Sequence, residues 1–177
     1  MSAPLRNGVK MSDIIKEPKS IPPISSENVA WESWAEGKRF GSRFLHLTKA
    51  AVGENYHVGM QIEELSPGKQ SSPAHYHMLE EEHVLILEGA VTLRLGDEVF
   101  SMKAGDYVCF PAGQKAGHCF INETEKVCRF LIIGEKNSSE VCVYTDSHKV
   151  MVGSLGRGAN IFDTNAVKGY WDGENIG

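Results

Sequence analysis

The chain has 177 residues, enough for one domain with a sizeable core, and its 41% hydrophobic and 23% charged residues are ordinary for a globular protein. A net charge of −5 without any basic patch argues against nucleic acid as a general partner. The apolar runs are too short to span a bilayer, and the first eighteen residues lack the apolar core of a signal peptide. We therefore expect neither a membrane segment nor secretion.

The first part of the chain reads as an arm, residues 1–40. Its opening stretch is rich in Pro, Lys and Ser, which is typical of a segment lying on the surface. Residues 28–37 predict a short helical turn that ends at Gly37. In that turn Trp31 and Trp34 would share a face and anchor the arm by packing.

From residue 41 the pattern changes to many short strands separated by short turns. We predict strands at 44–48, 56–65, 75–77, 83–87, 91–95, 99–102, 107–110, 118–121, 127–133 and 141–144. Close, regular spacing of this kind predicts an all-β sandwich or barrel. We assign the barrel to residues 41–144 and expect residues 145–177 to form a tail that packs on it.

Two histidines separated by one residue, His75 and His77, are the first candidates for chemistry. In a strand their imidazoles point to the same face, and a carboxylate follows at Glu80, Glu81 or Glu82. Two imidazoles and a carboxylate suit one divalent transition metal: Zn, Fe, Mn, Ni or Cu. The plainer alternative is a pair of exposed histidines beside a solvated acidic turn.

A second stretch, residues 105–122, supplies a further candidate. A strand-like run is followed by a Pro-Ala-Gly turn at 111–113 and then by His118 in an apolar strand. His118 is the expected fourth ligand, and the alternative is a core histidine with no ligand role. His83 would face away from a site that contains Glu82, so we do not count it as a ligand.

Together the two stretches resemble the two sequence motifs of the cupin superfamily. The first motif is matched by Gly68, His75, His77, Glu82 and Gly89, and the second by Gly105, Pro111, Gly113, His118 and Asn122. The spacing of six residues before Gly89 selects Glu82 over Glu81. The chain is one residue longer than the family pattern before His75 and two residues longer before His118.

The resemblance implies a jelly-roll β-barrel with one divalent metal held by His75, His77, Glu82 and His118. The tail also resembles that of small bacterial cupins of unassigned function, some of which are labelled sugar-phosphate isomerases. Small cupins are usually homodimers, so we expect one here. Asn122 shares a strand face with His118, and we expect it to be structural.

The resulting hypothesis is a metal-dependent enzyme that acts on a small polar substrate by isomerase, lyase or oxygenase chemistry. Tyr76, Tyr107 and Arg129 are the candidate acid–base residues. Alternatives are a non-enzymatic protein that binds a metal or small ligand, and a metal-free epimerase. Asp146 with Lys149 offers a further possible contact for an anionic or hydroxylated ligand.

The four cysteines bear on the cellular location. None forms a Cys-x-x-Cys pair, and Cys119, Cys128 and Cys142 lie in apolar strand-like runs. We expect buried free thiols, which favours a reducing, cytoplasmic environment.

Overall fold

The computed structural model describes residues 20–158 and 160–177, and the expectations for residues 1–19 lie outside this part of the chain. The described residues form two antiparallel sheets, which confirms the all-β jelly-roll prediction. The strands are β1 (Glu32–Glu36), β2 (Phe40–His46), β3 (Val58–Leu65), β4 (His75–His77), β5 (Glu82–Glu88), β6 (Ala90–Leu95), β7 (Glu98–Lys103), β8 (Tyr107–Phe110), β9 (His118–Ile121), β10 (Cys128–Glu135), β11 (Val141–Tyr144), β12 (Lys149–Val152) and β13 (Ile161–Asp163). One α-helix, α1 (Leu47–Val52), joins β2 to β3.

The predicted metal-binding residues lie between the two sheets. One has the strand order β1-β2-β3-β10-β5-β8, and the other has the order β13-β12-β11-β4-β9-β6-β7. Alternate side chains point inward from both sheets and form a continuous apolar core of Leu65, Val84, Ile86, Val91, Leu93, Met102, Phe110, Phe120, Cys128 and Phe130. The sheet containing β4 and β9 presents the histidines, and β3 and β5 oppose them.

The region predicted as a helical turn is a strand instead. Only Ser26–Asn28 makes a single 3-10 turn, and β1 then pairs with β2 along its whole length. The hairpin requires a glycine at Gly41, where φ is +145° and a Cβ would lie 2.8 Å from the Trp34 carbonyl oxygen. Pairing with β2 therefore overrides the weak helical signal of residues 28–37.

The tail is partly integrated into the fold. β12 pairs with β11 and β13 pairs with β12, so the tail extends the sheet that carries the histidines. Near the end of the tail, Tyr170 and Trp171 are 87% and 64% exposed. In the described part of the chain, no helix has the length and apolar character needed to cross a lipid bilayer.

Candidate metal centre

Strand pairing brings the three predicted histidines together. β4 lies between β11 and β9, and His75 is the register partner of His118. His77 lies two residues beyond His75 and points to the same side. One ring nitrogen from each of the three histidines lies within 4.8 Å of those of the other two, so the imidazoles converge on one point.

Glu82 approaches this point from the opposite sheet. It begins β5, and its Oε1 atom is 3.5 Å from His118 Nε2. Glu81 instead places a carboxylate oxygen 2.9 Å from His83 Nε2, on the other face of the strand. The geometry therefore associates Glu82, and not Glu81, with the three histidines.

His118 is buried, with 3% of its surface exposed, and neither of its ring nitrogens has a hydrogen-bond partner among the described residues. Phe110 stacks on the ring at a centroid distance of 3.7 Å and fixes its orientation. Leaving buried polar atoms without a partner costs about 1–3 kcal/mol each. A metal bound at one ring nitrogen would satisfy that atom, so the residues present fit a divalent ion.

His75 is oriented for the same role. Its Nδ1 atom lies 2.9 Å from the Pro73 carbonyl oxygen, which can only accept a hydrogen bond. Nδ1 therefore carries the proton, and Nε2 keeps its lone pair. Burial, together with the neighbouring His118 and His77, lowers the pKa of His75 to about 4, so the ring is neutral at physiological pH.

His77 has two buried carboxylates behind it. Its Nδ1 atom lies 3.5 Å from Glu140 Oε1 and 3.6 Å from Glu80 Oε2. Glu140 is completely buried and accepts hydrogen bonds from the backbone N–H groups of Met78 and Leu79. A carboxylate behind a histidine ligand favours the Nδ1–H tautomer and directs Nε2 toward the metal.

The second of these carboxylates, Glu80, is held from the tail. It accepts a hydrogen bond from the Asn137 backbone N–H at 2.6 Å and forms an ion pair with Arg157. Burial raises the pKa of Glu80, and the Arg157 guanidinium opposes that effect. The segment after β12 thus contributes to the environment of His77.

A cavity of about 160 Å³ adjoins the cluster and contains an acid that the sequence reasoning missed. Glu63 lines this cavity together with His75, Glu82 and His118. Its side chain is 6% exposed, and Gln61 Nε2 donates a hydrogen bond to it at 3.2 Å. Burial, with a smaller effect from the Glu82 carboxylate, raises the pKa of Glu63 to about 7. The sequence does contain a signal for Glu63. Side chains alternate between the two faces of a strand, so Glu63, two residues before the inward-facing Leu65, also points inward.

The candidate acid–base residues from the sequence lie elsewhere. Tyr107 is 59% exposed and hydrogen-bonds to His83 on the outside of its sheet. Arg129 alternates with the inward-facing Phe130 and pairs with Glu64 on the outer face. Tyr76 lies between His75 and His77, so strand alternation directs it away from them. None of the three lines the cavity.

The remaining predictions concern polar residues near the site. Asn122 is fully buried and donates from Nδ2 to the carbonyl oxygens of Leu65 and Lys126, which is the structural role we expected. Asp146 forms an ion pair with Arg94 at 2.5 Å, and its contact with a ligand, together with Lys149, stays a prediction.

Comparison with known proteins identifies the architecture. A family model described as "Cupin domain" matches residues 61–134, while no curated protein sequence matches the chain. A cupin-superfamily sugar phosphate isomerase structure from Silicibacter pomeroyi is 28% identical, with a TM-score of 0.71, and the match covers 85% of this chain and 98% of that one. A protein from Acidithiobacillus ferrooxidans, for which the same activity has been suggested, is 27% identical with a TM-score of 0.65, over 73% and 80% of the two chains. A Thermotoga maritima protein, predicted to be an oxalate decarboxylase, shares the fold at 23% identity and a TM-score of 0.56, over 66% of this chain and 100% of that one.

Proposed function

The chain belongs to the cupin superfamily, and from that premise we propose that it is a metal-dependent enzyme acting on a small polar molecule of the sugar or organic-acid type. The observation that carries the proposal is the placement of Glu63, a buried acid, in the same cavity as His75, Glu82 and His118. A protein that only binds a metal or ligand has no need of a protonatable group at that position.

In this proposal the metal is one divalent ion, which we assign to His75, His77, Glu82 and His118. Three imidazoles and one carboxylate suit Zn, Fe, Mn, Ni or Cu. Such an ion would polarise oxygen atoms of the substrate as a Lewis acid.

Glu63 is the group that we propose to transfer protons. An acid whose pKa is near 7 exists in both protonation states at neutral pH, which is the condition for general acid–base catalysis. As a carboxylate it would accept a proton from a carbon next to the substrate carbonyl. As an acid it would return that proton to the former carbonyl carbon. The proton of the adjacent hydroxyl would move to the former carbonyl oxygen, and the two transfers together complete an isomerisation. Gln61 would hold the carboxyl in place through its 3.2 Å hydrogen bond.

The size of the cavity limits the substrate. At about 160 Å³ it is smaller than the roughly 300–1,000 Å³ typical of ligand pockets. A molecule of a few carbon atoms would fit, and so would the reactive end of a longer chain. Among the three reaction classes considered, isomerisation best matches a site with one proton-transfer group and two relatives linked by name to sugar phosphates.

The test uses solvent exchange of substrate protons. We would incubate the metal-loaded protein in D2O with a panel of aldose and ketose phosphates and small hydroxy and keto acids, and follow deuterium incorporation by NMR. The proposal expects incorporation that is lost in Glu63→Gln, while the metal content of that variant is unchanged. Tight binding of a panel member without exchange or turnover would instead favour the non-enzymatic binding protein.

We further propose that the enzyme is a cytoplasmic homodimer. Among the described residues, β1 is the edge strand of its sheet and all five of its residues are exposed, so no described strand pairs with the outer side at which a second copy could bind. The four cysteines are free, as expected for a reducing compartment. Light scattering would measure the mass in solution, and a monomer at micromolar concentration would contradict the dimer.

A further inference from the structure

A second group of metal-binding side chains lies on the outside of the barrel, across β5 and β8. Glu81 precedes β5, His83 lies within it, and Cys109 in β8 is the register partner of His83. Tyr107 is two residues before Cys109, so strand alternation directs both to the same face. Glu82 points to the opposite face, into the barrel.

The side chains of this outer cluster already lie close together. His83 Nε2 lies 2.9 Å from Glu81 Oε1, and His83 Nδ1 lies 2.6 Å from Tyr107 Oη. One ligand atom each from Glu81, His83 and Cys109 lies within 4.8 Å of the other two. All three residues are partly exposed, and β8 is the last strand of its sheet, so an ion could reach them from solvent.

We propose that Glu81, His83 and Cys109 bind a second, thiophilic divalent ion, for which Zn²⁺ is the best match. Thiolate, imidazole and carboxylate are the three protein ligand types of zinc. With bonds of about 2.0–2.3 Å, a tetrahedral zinc ion separates its ligand atoms by roughly 3.3–3.8 Å. Modest side-chain rotations at this exposed surface would bring the present arrangement to those distances.

Proton balance is simple at this site. The ion replaces the thiol proton of Cys109, which is released to solvent, and accepts a lone pair from one ring nitrogen of neutral His83. The other ring nitrogen of His83 keeps a partner in either tautomer, because Tyr107 lies beside Nδ1 and Glu81 beside Nε2. Water completes the fourth position of a tetrahedral ion.

The outer ion would also affect the inner site. Glu81 and His83 flank Glu82, so an ion held by the flanking pair fixes the backbone that presents Glu82 to the three histidines. It would also tie the edge strand β8 to β5, which stabilises the folded state by ligand linkage. The outer cluster contains a thiol and the inner His3Glu set does not, which makes the two sites spectroscopically distinct.

The test is a Co²⁺ titration of the tag-free protein, in which the His75→Ala/His77→Ala variant removes the inner site. Thiolate ligation produces an intense sulfur-to-cobalt charge-transfer absorption. We expect this absorption to saturate at one ion per chain in the inner-site variant, to reach the same final intensity in the wild type, where the inner site also takes up cobalt, and to disappear when Zn²⁺ is added. It should be absent in Cys109→Ser and unchanged in His57→Ala, a control at an exposed histidine outside the cluster.

Two results would overturn this inference. One is the absence of the sulfur-to-cobalt absorption in the wild-type protein, which requires no mutant to fold. The other is its persistence in Cys109→Ser, which would assign it to a different thiol. A wrong inner-site assignment would give a different result. In that case His75→Ala/His77→Ala would still bind a cobalt ion that shows no sulfur-to-cobalt absorption.

Discussion

Glu140 Oε1 lies 3.5 Å from Nδ1 of His77, and the carboxylate that provides it is completely buried. Two backbone N–H groups hold this carboxylate in place, so its position is set by the chain turn that follows β4. A buried anion is retained only where it is paired and hydrogen-bonded. We interpret Glu140 as the residue that positions the His77 ring for a metal.

Replacing Glu140 should therefore weaken metal binding. Loss of a carboxylate that orients a histidine ligand typically reduces metal affinity by about 10–100-fold. We expect Glu140→Gln, which keeps the shape of the side chain, to reduce affinity within this range while the protein stays folded. Competition with a chromophoric chelator would measure it, and Glu125→Gln, at an exposed acid in the turn between β9 and β10, is the matched control. Equal affinities in the two variants would show that Glu140 is purely structural.

The pH at which the metal is released follows from His75. Because burial lowers the pKa of His75 to about 4, its ring does not compete for protons in mild acid. We expect the inner metal to be retained on dialysis at about pH 5.5 and released as the pH approaches 4. Metal analysis after dialysis in the Cys109→Ser background would isolate the inner site. Release that follows an ordinary histidine titration near pH 6.5 would contradict the buried, neutral His75.

Glu63 should make the stability of the metal-free protein depend on pH. Its pKa is raised from 4.5 to about 7 on folding, so the folded state binds more protons than the unfolded state between these values. The free energy of unfolding therefore falls as pH rises through this window, by at most about 3 kcal/mol. Glu63→Gln should lack this loss. The free energy of unfolding of the variant, relative to that of the wild type, should therefore be higher at pH 8 than at pH 5. Urea denaturation at the two pH values measures the difference, and identical pH slopes would contradict it.

The hairpin between β1 and β2 gives a structural prediction. A Cβ at Gly41 would meet the Trp34 carbonyl oxygen at 2.8 Å, and φ at this position is +145°. We expect Gly41→Ala to lower the free energy of unfolding by roughly 1–3 kcal/mol. Gly68→Ala is a suitable control, because φ is also positive there but a Cβ would meet nothing within 4 Å. A loss at Gly41 no greater than that at Gly68 would show that the close approach is unimportant.

The sequence predicted the barrel and the convergence of the candidate metal-binding residues for a physical reason. Strand alternation is local, so His75, Tyr76 and His77 reveal their faces without any knowledge of the fold. Four predicted strands have the same bounds in the structure because clear turns flank them: 75–77, 107–110, 118–121 and 141–144. The acidic residue at position 82 was chosen by its spacing to Gly89, and the structure places it beside His118.

The parts that the sequence did not reveal depend on distant pairing. β1 forms a strand because it pairs with β2. In the same way, β12 forms because it pairs with β11, and β13 then adds to that sheet. Glu63 lies in a different sheet from His75, so no spacing rule connects them. Likewise, Glu140 is 63 positions from His77, and only the fold brings its carboxylate behind that ring.

The metal content of the inner site tests most directly whether His75 and His77 bind a metal. We would purify the Cys109→Ser protein and its His75→Ala/His77→Ala derivative without an affinity tag, load both with the same divalent metal, and count ions per chain by plasma mass spectrometry. Circular dichroism would show that both remain folded β proteins. We predict close to one ion per chain in the first protein and none in the second. Equal metal content in the two folded proteins would contradict the assignment of these histidines.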